Sequence, residues 1–390
     1  MPGVIPSIFW GIVTLSIVVF FHEGGHFVAA RLCGLEVSEF MLGLPGPKIS
    51  WKWGRTRYGV TAIPFGGYCR IPALEGQGAA GELGSMTDEE RARYVAVPAW
   101  KRVVVLASGI IVNLVLAVVI FTCVLSIWGS PVDRGFFDAA QGGPLAAAGF
   151  ESGSRITAID GDKVASFEDL SAIITRHQAG DVVRVTCVPL SAVGDADEYY
   201  AADGRALNAA QAVTLDVTLG TFPATSSDGG TGDSSGTGSA KADPTRAYLG
   251  VTAHVVDTPL PLLQAFGMAM RYVWLTLQAI FNLLRPSTFA ATVNQSTSVV
   301  GISVIAAQAA QTDMLTYAQL IAAISLSLGL MNALPIPPLD GGKILIELIQ
   351  AAIRRPLKQN FVVAVSLAGF ALMICFMVFV VYKDVARLLG

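Results

Sequence analysis

Charged side chains are scarce in this chain of 390 residues, since Asp, Glu, Lys and Arg make up 14% against about 25% in soluble domains. Hydrophobic residues reach 53%, which excludes an ordinary soluble protein. A helix needs ~20 apolar residues to cross the ~30 Å bilayer core. Four runs without a charged residue meet or approach that length, which predicts four transmembrane helices: Ile5–Phe21, Val103–Trp128, Leu315–Leu339 and Phe361–Tyr382.

Cysteine and positive charge are also in short supply. The five cysteines show no C-x-x-C spacing, and Cys123 and Cys375 lie inside apolar runs, so no disulfide framework is indicated. A net charge of −3 gives no basic excess, and no nucleic-acid partner is expected. No Lys or Arg precedes Arg31, so we interpret the first run as a retained span and not as a cleaved signal peptide.

The distribution of the few cations predicts the orientation in the membrane. The segment Arg31–Arg102 holds ten Lys/Arg in 72 residues, and Lys343–Lys358 holds four in 16. The long segment Gly129–Leu315 also holds ten, but in 187 residues and with 18 Asp/Glu. By the positive-inside rule the two dense loops are cytoplasmic, and the long acidic segment and both chain termini lie outside.

Two regions outside the apolar runs have their own patterns. Strand-forming residues from Ile49 to Ile71 predict β structure. Pro131–Thr221 resembles a small soluble domain, because alternating strand patterns flank a helix that Ser166 would cap. Within and after it, residues 191–211 read as an insertion and the Gly/Ser-rich residues 225–242 as a flexible linker.

The apolar segment Leu262–Leu284 carries polar residues on one side. Gln264, Arg271 and Gln278 recur at seven-residue spacing, which predicts an amphipathic helix on the bilayer or against the bundle. A fifth span is the alternative, and it would move the C-terminus to the other side of the membrane.

The end of the first apolar run carries the pattern H-E-x-x-H, formed by His22, Glu23 and His26. Residues four apart share one face of a helix, so both imidazoles can reach one Zn²⁺. Glu23 lies beside that face, where it can take a proton from an attacking water. Ionisable residues at membrane depth are costly and indicate function.

Catalytic zinc usually has three protein ligands, and Asp340 is the best candidate for the third. His177 and His254 both fall in the predicted external segment. Asp340 closes the stretch Asn332–Gly342, whose three prolines cannot continue a regular helix. At membrane depth, such irregular backbone is tolerated where it lines a buried or water-filled cavity.

These motifs together resemble the site-2 protease family of intramembrane zinc metalloproteases. Matching segments cover almost the whole chain: H-E-x-x-H at 22–26, N-x-x-P-x-P-x-L-D-G at 332–341, I-P-F-G-G-Y at 63–68, W-K-R at 100–102, A-S-G with Asn113, and G-F-E-S-G-S-R-I-T-A-I-D-G at 149–161. The last resembles the PDZ domain of many bacterial members. Ile110 and Ser154 depart from the family pattern, which often has proline and aspartate there, but no ligand is affected.

The resemblance implies a membrane α-helical bundle of about four transmembrane helices, with a membrane-associated β segment and an inserted extracytoplasmic PDZ-like α+β domain. The implied segments are helix 1–30, cytoplasmic-side loop 31–100, helix 101–128, PDZ-like domain 131–253, amphipathic helix 260–285, helix 315–342 and helix 361–382.

The family's roles carry over by position. His22, His26 and Asp340 would hold Zn²⁺, and Glu23 would be the general base and later the proton donor. Asn332 would bind the substrate backbone or the developing oxyanion. A strand edge near Gly66 and Gly67 could pair with an unwound substrate.

The expected activity is hydrolysis of peptide bonds in or near the transmembrane segments of single-pass membrane proteins, after a prior extracytoplasmic cut. Anti-sigma factors or signal-peptide remnants are the expected substrates. The enzyme would lie in the lipid bilayer of the plasma membrane, with its active site near the cytoplasmic side. The alternatives are a catalytically silent scaffold with a peptide-binding PDZ-like domain, and a transporter, for which the inverted repeat is missing.

Overall fold

The computed structural model describes residues 3–74, 88–192, 211–221, 247–295, 297–355, 357 and 359–389. These residues form two compact units, one of Met1–Ser126 with Pro261–Gly390 and one of Ile127–Leu260. The predicted linker 225–242 and nearly all of the predicted insertion 191–211 lie outside the described residues.

Helices dominate the first unit. In chain order the helices are α1 (Val4–Leu32), α2 (Asp88–Ala96), α3 (Ala99–Ile127), α4 (Pro144–Ala147), α5 (Phe167–Ile174), α6 (Leu262–Leu284), α7 (Pro286–Gln295), α8 (Val299–Thr312), α9 (Met314–Asn332), α10 (Asp340–Ile353) and α11 (Gln359–Leu389), of which α4 and α5 belong to the second unit.

The four predicted spans are present as helices long and apolar enough to cross a membrane. They are Val4–Leu32, Ala99–Ile127, Met314–Asn332 and, within α11, Asn360–Lys383. In the described part of the chain α6 is not among them. One side of α6 packs into the bundle, where Ile280 and Ala117 of α3 belong to the same buried cluster. Arg271 is exposed, and so are large apolar side chains such as Phe266 and Trp274.

The prolines interrupt the predicted third helix. It does not continue to residue 342, because α9 ends at Asn332 and α10 begins at Asp340. The prolines between them cannot donate the backbone hydrogen bonds of a helix. Between the β segment and α3, residues from Asp88 form α2, whose turns include an ion pair between Glu89 and Arg93.

Small residues allow the helices of the first unit to approach closely. A β-carbon at Gly11 of α1 would lie 2.2 Å from Ser303 Oγ of α8. The hydroxyl groups of Thr14 and Tyr317 share a buried hydrogen bond of 3.0 Å between α1 and α9. Ser325 of α9 donates to the carbonyl of Asn113 in α3 at 3.0 Å. These contacts hold α1 and α3 against α9.

The predicted β segment is confirmed as two long antiparallel strands, β1 (Glu39–Trp53) and β2 (Thr56–Arg70). Residues 39–42 of β1 pair on one side with 57–60 and on the other with 67–70 of β2. Residues 39–42 can pair with β2 on both sides because both strands bend, at Gly43 (φ +99°) and at Gly66 (φ +83°). The last part of β2 therefore lies outermost in this sheet.

The second unit is built on an antiparallel sheet. Its strands are β3 (Ser130–Ala139), β4 (Ser154–Ile159), β5 (Asp162–Lys163), β6 (Val182–Val188), β7 (Val213–Thr218) and β10 (Val251–Thr258), in the order β10-β3-β4-β6-β7 with β5 beside β4. A separate pair is formed by β8 (Gly220–Thr221) and β9 (Ala247–Tyr248).

Local sequence signals account for two features of the second unit. Asp160 and Gly161 both have positive φ in the tight turn between β4 and β5. As predicted, Ser166 caps α5 by accepting a hydrogen bond from the Asp169 amide. The capped helix ends at Ile174.

Candidate zinc site

One face of α1 carries both histidines of the H-E-x-x-H motif into the bundle. His22 and His26 are each 8% exposed and follow the buried Val18 on the same face. Glu23, one residue around the helix, is half-buried. The helical period of 3.6 residues thus places two imidazoles together and a carboxylate at their side.

Asp340, the first residue of α10, completes a cluster of three buried ligand groups. Its Oδ2 atom lies 3.1 Å from His22 Nε2 and 3.2 Å from His26 Nε2. Neither contact has the angles of a hydrogen bond, so the buried Oδ2 is left without a hydrogen-bond partner. The three groups therefore converge on a common point instead of bonding to one another.

The donor set and spacing fit zinc. Zn²⁺ takes imidazole nitrogen and carboxylate oxygen at about 2.0–2.2 Å in tetrahedral geometry, which puts neighbouring ligand atoms roughly 3.3 Å apart. The observed separations of 3.1 and 3.2 Å are close to that value. An ion at this point would also satisfy the orphaned Asp340 oxygen, and the three protein ligands leave a fourth position for water or substrate.

Helix α3 supplies the groups that orient the histidines. His26 Nδ1 lies 2.7 Å from the carbonyl oxygen of Val105, so that nitrogen is the donor and Nε2 is free to face the ion. His22 Nδ1 lies 3.4 Å from the side-chain amide of Asn113, which is fully buried. The sequence gives no sign of the role of the Val105 backbone carbonyl. Asn113 is a polar residue in an apolar run, and that signal indicates a buried functional amide beyond the predicted site residues.

Two glycines bring α1 and α3 into contact at this point. A β-carbon on Gly25 would lie 2.7 Å from the carbonyl oxygen of Ser108. A β-carbon on Gly109 would lie 2.5 Å from His26 Nε2 and 2.8 Å from His22 Cε1. Gly109 therefore leaves open the space into which the ligand atoms point.

The loop that delivers Asp340 is packed just as tightly. A β-carbon on Gly341 would lie 2.4 Å from the carbonyl oxygen of Ala333, and one on Gly342 would lie 2.2 Å from the Pro337 nitrogen. Gly369 of α11 faces the carbonyl oxygen of Pro337 with similarly little space. The glycines after Asp340 thus let the chain fold back on the proline loop.

The β segment reaches the proposed base. A β-carbon on Gly67 would lie 3.2 Å from Glu23 Cγ and 2.7 Å from Val19 Cγ1, so the backbone of β2 passes directly beside Glu23. Burial, and then the negative charge of Glu23, raise the pKa of the Cys69 thiol on the same strand. Gly66 provides the bend before this contact.

Asn332 is the last residue of α9 and half-buried. In the described part of the chain its side chain makes no hydrogen bond to His22, Glu23 or Asp340. Gly66 faces Leu44 and not the ligands. Of the predicted site residues, the structure thus brings together His22, Glu23, His26, Asp340 and Gly67.

A buried His₂Asp cluster with a carboxylate beside it, held between helices of membrane-spanning length, defines a metal-dependent hydrolase of the membrane. The sequence profile of peptidase family M50 matches residues 10–376. The chain therefore belongs to peptidase family M50, the site-2 protease family, and is a zinc metalloprotease with several candidate membrane spans.

Relatives cover nearly the full chain. A protein of Mesorhizobium japonicum named "Putative zinc metalloprotease mll0638" is 29% identical over 388 residues, which are 95% of this chain and 96% of the relative. "Metalloprotease MmpA" of Caulobacter vibrioides is also 29% identical, over 405 aligned positions, with 96% of this chain and 94% of the relative covered. The similarity thus includes both compact units.

Proposed function

We propose that this zinc metalloprotease cleaves peptide bonds in or near the transmembrane segments of single-pass membrane proteins. The observation that carries the proposal is the depth of the metal ligands. His22 follows the first residue of α1 by eighteen positions, which is roughly 27 Å along a helix. The two histidines therefore lie within a candidate span, about 27 Å from its start, and Asp340 meets them there from the next helix after the third candidate span.

The geometry supports a role for four residues. His22, His26 and Asp340 would hold zinc, which when bound would act as a Lewis acid on the scissile carbonyl and lower the pKa of water. Glu23 accepts a proton from the attacking water and returns it to the leaving amine. Asn332, on the resemblance alone, binds the substrate backbone or the developing oxyanion.

The outer strand of the β segment gives the substrate a place to unwind. Residues 67–70 pair on one side with β1, and Gly67 brings this backbone beside Glu23. An extended peptide that added to this edge would expose its carbonyls to the zinc site, whereas an intact helix keeps them in internal hydrogen bonds. Gly67 presents no side chain that would hold the substrate away.

We further propose that the second unit is a PDZ-like domain outside the membrane that filters substrates. Its antiparallel sheet with two short helices supports this assignment. The sparse cations of this segment favour the extracytoplasmic side and put the zinc site near the cytoplasmic side of the plasma membrane. Substrates would be trimmed outside first, as anti-sigma factors and signal-peptide remnants are in regulated intramembrane proteolysis.

The test is co-expression with tagged single-pass membrane proteins, each in a full-length and a pre-shortened form. The wild type should release fragments from the pre-shortened forms, and Glu23→Gln should lower that release by at least about a hundredfold because the base is lost. Zinc content should stay unchanged in Glu23→Gln, since the ligands remain. Equal fragment release from both proteins would overturn the catalytic assignment and leave the scaffold alternative.

A further inference from the structure

A second buried cluster of charged and polar groups lies away from the metal ligands, between α2, α3 and α10. Arg102 of α3 donates from Nε to Glu347 Oε2 of α10 at 2.9 Å. Its Nη1 donates to the carbonyl oxygens of Tyr94 at 3.0 Å and Val97 at 2.6 Å. Glu347 is fully buried and Arg102 is 9% exposed.

Tyr94 of α2 completes this cluster, whose two charged residues we call the Arg102–Glu347 pair. Its hydroxyl donates a short hydrogen bond to Glu347 Oε1, and the Arg102 guanidinium lies over its ring at 4.2 Å from the centroid. Burial, and then the bond to Glu347, raise the pKa of Tyr94, so the phenol stays a donor. Gln350 donates to the same hydroxyl at 3.3 Å.

A buried ion pair of this kind is costly unless every group is bonded, and when it is bonded it fixes the geometry of the elements that carry it. The planar guanidinium makes the arrangement directional, because its donors leave at fixed angles. Here the donors reach a side chain of α10 and two carbonyls at the α2–α3 turn. The pair therefore fixes both the rotation of α10 about its own axis and its axial position relative to α3.

Both helices carry parts of the zinc site a short distance away. Glu347 follows Asp340 by seven residues, two turns of the same helix. Arg102 precedes Val105 by three residues, and the Val105 carbonyl binds His26. The pair thus joins the helix that delivers the third ligand to the helix that orients a histidine.

We propose that Arg102, Glu347 and Tyr94 are positioning residues that hold Asp340 at the distance from His22 and His26 that zinc requires. The proposal rests on the proposed role of Asp340 as a ligand. Glu347 lies two helical turns from Asp340 on α10, so the three residues act through the placement of that helix.

The first test compares Glu347→Gln with Glu89→Gln in the full-length, membrane-inserted protein. Glu89 is a matched control, because it also pairs with an arginine, Arg93, but at the exposed surface of α2. Glu347→Gln should weaken zinc binding about tenfold, the low end of the range for losing a group bonded directly to a ligand, because Glu347 acts through the placement of α10. The free zinc concentration for half-maximal cleavage should rise by the same factor, with the KM for a pre-shortened substrate unchanged. Glu89→Gln should change neither.

A second pair of variants covers the case in which Glu347→Gln does not insert. Tyr94→Phe removes the hydroxyl bond to Glu347 and keeps the ring over Arg102, and Tyr317→Phe removes a buried hydroxyl bond to Thr14 elsewhere in the bundle. Tyr94→Phe should shift the zinc dependence and Tyr317→Phe should not. Wild-type zinc affinity in both Tyr94→Phe and any inserted Glu347→Gln protein, or equal shifts in the two tyrosine variants, overturns the positioning role.

Asp340→Ala distinguishes a wrong ligand assignment from a wrong positioning role. If Asp340→Ala loses zinc while Tyr94→Phe and Glu347→Gln keep wild-type affinity, the ligand assignment holds and the positioning role is wrong. If Asp340→Ala keeps full zinc, the ligand assignment itself is wrong, and the positioning role falls with it.

Discussion

At the scale of single residues, the site depends on one buried carboxylate oxygen. Asp340 Oδ2 faces two imidazoles and has no hydrogen bond, while Oδ1 lies 3.5 Å from Lys343 Nζ. A buried polar atom without a hydrogen bond is unfavourable. A zinc ion bound to Oδ2 removes that cost, so the site should be more stable with the ion than without it.

Asp340→Ala should therefore lower both zinc content and proteolysis. Loss of one of three ligands weakens binding by more than the about 10- to 100-fold that outer-shell changes cost. The check is metal analysis of purified Asp340→Ala protein. Glu23→Gln, which keeps every ligand, is the control. Stoichiometric zinc and normal turnover in Asp340→Ala would place the third ligand elsewhere.

The two glycines inside H-E-x-x-H should respond differently to the same change. A β-carbon on Gly25 would lie 2.7 Å from the Ser108 carbonyl, whereas one on Gly24 meets nothing within 4 Å. Gly25→Ala should force α1 away from α3 at a cost of about 1–3 kcal/mol and reduce zinc binding. Gly24→Ala should keep both zinc and activity, because alanine is also the better helix former. Loss of zinc in both variants, or in neither, would contradict the close-packing argument.

At the scale of elements, the ligand loop is held between α9, α10 and α11. The chain leaves the helix at Asn332, turns through the prolines and re-enters a helix at Asp340. Gly369 of α11 packs against the carbonyl of Pro337. The last span therefore supports the site without supplying a ligand.

Gly369→Ala should displace this loop and reduce cleavage, because the added methyl group has no space beside the Pro337 carbonyl. The matched control is Gly267→Ala on α6, where a β-carbon meets nothing within 4 Å. Overpacking of this type costs about 1–3 kcal/mol. Cleavage of a pre-shortened substrate by both inserted variants provides the measurement, and equal activity would show that α11 does not support the loop.

At the scale of the whole molecule, the proposed catalytic residues lie in one of the two compact units. The described ligands and Glu23 all belong to the unit of Met1–Ser126 and Pro261–Gly390. The other unit begins and ends side by side, since Ser130 pairs with Thr258 across β3 and β10. Paired residues lie about 4.5–5.5 Å apart, so a short linker can replace the unit between them.

Replacement of residues 131–257 by such a linker should leave a zinc-loaded enzyme that cuts pre-shortened substrates. It should also begin to cut full-length ones, because the proposed filter is gone. Cleavage of both substrate forms is measured with the intact and the deleted enzyme in the same membranes. The Glu23→Gln variant of the deleted enzyme gives the background cleavage. A stably inserted, zinc-loaded deletion that cuts neither form would mean that the second unit helps to build the active site. Cleavage of the short form alone would mean that exclusion comes from elsewhere.

Local periodicity and transfer energy make several features of this protein readable from the amino-acid order alone. Runs without charge identify the four spans, because a charge in hydrocarbon is costly. The i, i+4 spacing of His22 and His26 and the prolines before Asp340 indicate the ligands, because each is a property of a short stretch of backbone.

How these parts meet depends on contacts between residues that are far apart in the chain. The Val105 carbonyl behind His26, the clearance at Gly109 and the Arg102–Glu347 pair join residues that are 79, 83 and 245 positions apart. Such contacts depend on how helices pack, and packing is set by side-chain shape across the whole bundle and not by any local pattern. A zinc site needs distances correct to a few tenths of an ångström, and those distances arise from the assembled helices.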